Sequence, residues 1–82
     1  MIVNWDNIQN GDEMELDSVT LQFFAGGTGD IIIEGKSTLN SEYVEAKSRI
    51  VAPDIITESF GRCFIRFTVP ETATLQASRL KT

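Results

Sequence analysis

The chain has 82 residues, a net charge of −5, one cysteine and no histidine. It is long enough for one domain, it cannot form an intrachain disulfide, and it lacks the ligands of the usual zinc sites. The acidic balance argues against a general nucleic-acid binder, and no run approaches the roughly 20 apolar residues of a membrane span. A domain this small buries only about 60–65% of its unfolded surface, so a partner chain is the remaining way to stabilise it. No cofactor is expected.

Residues 1–11 carry Ile2, Val3, Trp5 and Ile8 without a clean period. They read as an N-terminal arm or edge strand, ahead of a single β-sandwich domain over 12–82. The segment lacks the basic start and long apolar run of a signal peptide. Glu13-Met14-Glu15-Leu16 alternates on even positions, whereas Val19, Leu21 and Phe23 alternate on odd ones. A bulge or tight corner is therefore expected at Asp17-Ser18, because a one-residue slip turns every later side chain to the wrong face. Asp12, Glu13, Glu15 and Asp17 raise the question of calcium, but the EF-hand spacing is absent and a solvated strand face accounts for them.

The stretch Phe23-Phe24-Ala25-Gly26-Gly27-Thr28-Gly29-Asp30-Ile31 has glycines between apolar runs. A phosphate loop needs a lysine directly after its glycines, and the first lysine here is Lys36. Positive φ in a hairpin turn is the expected reason for these glycines. Ile31-Ile32-Ile33 reads as a strand covered on both sides. Residues 42–51 alternate and read as a strand, with Val44, Ala46, Ser48 and Ile50 on one side and Tyr43, Glu45, Lys47 and Arg49 on the other. Ile55-Ile56-Thr57 reads as a short strand after Pro53, and Ser59-Phe60-Gly61 as a turn.

In Arg62–Val69 the period of two is clearest: Cys63, Ile65, Phe67 and Val69 face one way, Arg62, Phe64, Arg66 and Thr68 the other. Pro70 ends this strand because it cannot donate to a ladder. A last strand over 72–79, with Leu75 and Ala77 inward, is expected to run antiparallel to it. The result is an all-β chain, a small antiparallel β-sandwich or barrel of about six strands.

Chemistry-bearing constellations are scarce. Cys63 has no histidine to activate it and sits among inward residues. No Asp-Thr-Gly or Asp-Ser-Gly triplet occurs, so an enzyme is not expected. Arg62, Phe64 and Arg66 on one outward face fit three readings: core under a second layer, a protein interface rich in arginine and aromatics, or a single-strand nucleic-acid platform. Charge is also unevenly placed: residues 1–34 hold seven acidic and no basic side chains, and residues 35–82 hold seven basic and five acidic ones. Neutralisation across the sheet explains this, as does head-to-tail contact between subunits.

Two segments carry a resemblance. One is Gly29-Asp30-Ile31-Ile32-Ile33-Glu34-Gly35-Lys36-Ser37. The other is Phe60–Val69 followed by Ala73-Thr74-Leu75-Gln76-Ala77. Together they cover about a third of the chain and resemble the small β-sandwich proteins and domains of tailed-phage virions. That group often has a tryptophan after the first of these strands; here Tyr43 holds the nearest aromatic place. The resemblance implies a virion structural protein, in particular a capsid decoration or cement subunit. Such a subunit forms a homo-oligomer, with a trimer favoured, and binds a major capsid or other virion protein. Trp5, Ile8, Tyr43, Arg62, Phe64 and Arg66 are the interface candidates. Two alternatives remain open: a carbohydrate- or receptor-binding module using Trp5 and Tyr43, and an acidic inhibitor of a basic host protein.

Overall fold

The computed structural model describes residues 6–45 and 49–79. Every regular element in it is a strand: β1 (Asp6–Ile8), β2 (Glu13–Leu16), β3 (Val19–Lys36), β4 (Val44–Glu45), β5 (Ile50–Phe60), β6 (Cys63–Thr68) and β7 (Ala73–Arg79). All pairings are antiparallel, and the sheet curls into a half-barrel of the small β-sandwich or barrel type.

The spine is β3. Its first half lies between β5 and β7, with β1 beyond β7. Its second half pairs β6 and β4, with β2 beyond β6. Leu21, Phe23, Ala25, Ile31 and Ile33 all point inward from this one strand. They meet Leu16, Ile50, Phe60, Ile65, Phe67, Leu75 and Ala77. Phe23 stands edge-on to Phe67 and Phe60, with ring centroids 5.7 and 6.4 Å away. Burial of each large side chain stabilises the fold by about 1.5–3 kcal/mol.

The glycine stretch is not a hairpin turn. β3 runs straight through it, and the pairing with β5 shifts between Ala25 and Gly29, so Gly26, Gly27 and Thr28 stand opposite Pro53 alone. Three residues against one leaves the parity unchanged, and Phe23 and Ile31 face the same core. Proline has no ladder donor to lose at such a break. The positive φ expected of the glycines is present, at 77° for Gly27 and 116° for Gly29. Its purpose is close approach: a Cβ on Gly27 would sit 2.2 Å from the Thr72 carbonyl oxygen.

Other expectations change for related reasons. The strand over 42–51 is broken: Val44–Glu45 forms β4, Ile50 opens β5, and 46–48 lie outside the described residues. Val44 is exposed rather than inward. The short strand at 55–57 is the middle of an eleven-residue β5 that includes Ser59 and Phe60, and the turn falls at Gly61-Arg62. β7 does not pair with β6; it inserts between β1 and β3. Ile32 is half-buried opposite Thr68, so the isoleucine run is fully covered on one side only. The corner at Asp17-Ser18 is present, with Ser18 at φ 51°.

Candidate functional site on the outer faces of the sheet

The outer face around β6 collects most of the polar candidates. Register places Arg66 directly between Glu13 on β2 and Glu34 on β3. Its Nη2 and Nε donate to Glu34 Oε1 at 3.0 and 3.2 Å. Tyr43, just before β4, lies over this row. Its ring centroid is 4.3 Å from Arg66 Cζ and 4.4 Å from Lys36 Nζ. Its hydroxyl donates to Glu13 Oε1 at 2.7 Å. Desolvation, then the Glu13 hydrogen bond and charge, raise the Tyr43 pKa above its ordinary value. One row along, Phe64 lies half-buried between Lys36 and Glu15.

Part of the uneven charge is neutralised within the molecule. Acidic side chains from the first part of the chain meet basic ones from the second within one molecule: Glu34 with Arg66, and Asp30 with Arg49 at 3.5 Å. Arg49 also contacts Glu45 at 3.3 Å, and its pKa is raised chiefly by that hydrogen bond. Glu34 and Glu45 are cross-strand neighbours, a like-charge pair relieved on either side by Arg66 and Arg49.

Arg62 is exposed in the β5–β6 turn and borders a hollow of about 350 Å³ with Phe64, Leu39 and Glu15. A second hollow, of about 410 Å³, lies between the β1–β2 and β6–β7 connections and is lined by Asn10, Pro70 and Leu75 among others. The fold therefore splits the interface candidates into separate groups. Tyr43, Phe64 and Arg66 come together, with Arg62 at their rim. Ile8 is buried opposite Leu75. Trp5 lies outside the described residues. Asp12 accepts the Gln9 N–H at 2.8 Å, and among the described residues no cluster of three or more metal-ligating side chains converges.

The opposite outer face, formed by β1, β7, β3 and β5, holds none of the interface candidates among the described residues. Its outward positions alongside residues 20–26 are neutral; farther along β3, Asp30 stands opposite Val51 and pairs with Arg49. Thr20 Oγ1 and Ser59 Oγ lie 2.9 Å apart, Gln76 Nε2 donates to Asn7 Oδ1 at 3.1 Å, and Phe24 and Ile55 are exposed cross-strand neighbours. In the row beside them Gln22 Oε1 and Ser78 Oγ are buried without a hydrogen-bond partner. The period-two pattern contains this signal: every second residue from Thr20 to Gly26, Ser59 to Ile55 and Thr74 to Ser78 is uncharged. No protein-family model, curated protein or solved structure matches the chain.

Proposed function

We propose that the chain is a virion structural protein, a decoration or cement subunit that binds the shell of a tailed-phage particle and acts by contact rather than by turnover. The observation that carries this reading is the row of Tyr43, Arg66 and Phe64. An arginine held by Glu34 and stacked on Tyr43 is ordered before any partner arrives, and arginine with aromatics is the composition of interface hot spots. Arg62 and Leu39 extend this surface over the adjoining hollow.

The other readings find less support. Tyr43 is engaged through both ring and hydroxyl, so it is a poor platform for a sugar. Glu34 and Asp30 are paired within the chain, which weakens the acidic surface an inhibitor of a basic protein would need.

The test is cosedimentation with shells of the major capsid protein encoded nearest this chain. Wild type should pellet with the shells, and Arg66→Ala or Phe64→Ala should bind roughly tenfold or more weakly. A folded wild-type protein that stays in the supernatant rejects the reading.

A further inference from the structure

We infer that the neutral outer face of β1, β7, β3 and β5 docks a second copy of this chain. The inference stands apart from the virion reading, which uses the charged face around β6.

Charge is the first argument. The chain carries −5 overall, and 23% of its residues are charged, yet the outward positions among residues 20–26, 55–59 and 74–78 carry none; Asp30, farther along beyond the glycines and opposite Val51, is paired with Arg49. A solvated sheet face ordinarily carries charges, whereas the centre of an interface is depleted of them. Two copies meeting here avoid the like-charge contact that their net charge imposes elsewhere.

Composition is the second argument. Phe24 and Ile55 are 44% and 57% exposed and adjacent across the β3–β5 ladder. Around them lie Thr57, Thr74 and Gln76, whose hydroxyl and amide groups both donate and accept. Such a surface is complementary to itself and favours an isologous, two-fold pairing. Ser78 is already covered, so the contact centres on the Phe24–Ile55 row.

Size sets the strength of the contact. Strands about 4.8 Å apart and rising about 3.4 Å per residue make this face roughly 20 by 20 Å. Two copies then cover at most about 800 Å² in projection, less the Gln22–Ser78 row that is already covered, which is below the roughly 1,200–2,000 Å² of a standard specific interface. A weak, reversible dimer is expected. The trimer that the resemblance favours would need a different, heterologous contact.

Sedimentation of the full chain from about 5 µM to about 1 mM tests this. Wild type should dimerise, with little change between about 0.05 and 0.5 M salt. Ile55→Glu and Thr74→Lys, both exposed, should each raise the dimer Kd about tenfold or more while keeping the wild-type circular dichroism spectrum. Glu15→Lys, on the other face, should leave the Kd unchanged. A wild type that remains monomeric throughout overturns the inference, as does any oligomer indifferent to Ile55→Glu and Thr74→Lys. Shell binding by a dimer-deficient variant separates this result from that of the virion proposal.

Discussion

At the level of single residues, two glycines show how little a local pattern says about purpose. Gly27 needs positive φ and lies against the Thr72 carbonyl, whereas Gly61 has nothing within 4 Å of its added Cβ and an ordinary φ. Gly27→Ala is expected to cost about 2–4 kcal/mol in urea unfolding, and Gly61→Ala less than about 0.5 kcal/mol. The left-handed backbone is legible in the residues, but its use is not. A hairpin turn and a bulged strand ask the same of glycine, and they differ only through distant residues such as Thr72, 44 positions beyond Thr28. Tyr43 offers a direct optical test, since it is the only tyrosine. Its tyrosinate absorbance should titrate above about pH 10. Glu13→Gln should lower the midpoint without restoring the free value, because desolvation persists. Because the folded pKa is raised, the native state keeps its proton longer than the unfolded chain. The contribution to stability is therefore complete below about pH 10 and is lost as pH rises through the folded value.

Among the strands, the inward sets of β2, β3, β6 and β7 follow the alternation of their residues closely. Where strands begin, end and pair is less legible. The sequence suggests a short strand that begins only after Pro53, yet Pro53 lies within β5, where the β3–β5 pairing is already interrupted. Ser59 and Gly61 suggest a turn around Phe60, but Phe60 is buried against Phe23 and keeps β5 extended to that point. The charged site is half visible. Parity marks Arg62, Phe64 and Arg66, while Glu13, Glu34 and Lys36 join them only through the order β3-β6-β2. Packing in the centre should be unforgiving. Phe67→Ala, which removes a fully buried ring from β6, is expected to cost about 3–5 kcal/mol. That approaches the whole stability of a domain this size, so the variant should show little sheet signal by circular dichroism at room temperature.

Over the whole molecule, β3 is common to both halves of the sheet, and protection should follow that layout. Hydrogen exchange is expected to be slowest at Phe23 and Ile33 and fastest in the three-residue β1 and two-residue β4. Equal protection across all seven strands would contradict this ordering. The place of β7 has a consequence for synthesis. It occupies the slot between β1 and β3, so the first half of β3 has no neighbour on that side until residues 73–79 have left the ribosome. Until then Leu21, Phe23 and Ala25 lack their β7 neighbours, and closure of the sheet joins chain segments about seventy positions apart. Insertion of β7, which pairs residues so distant in the chain, is thus expected to be a slow step of folding.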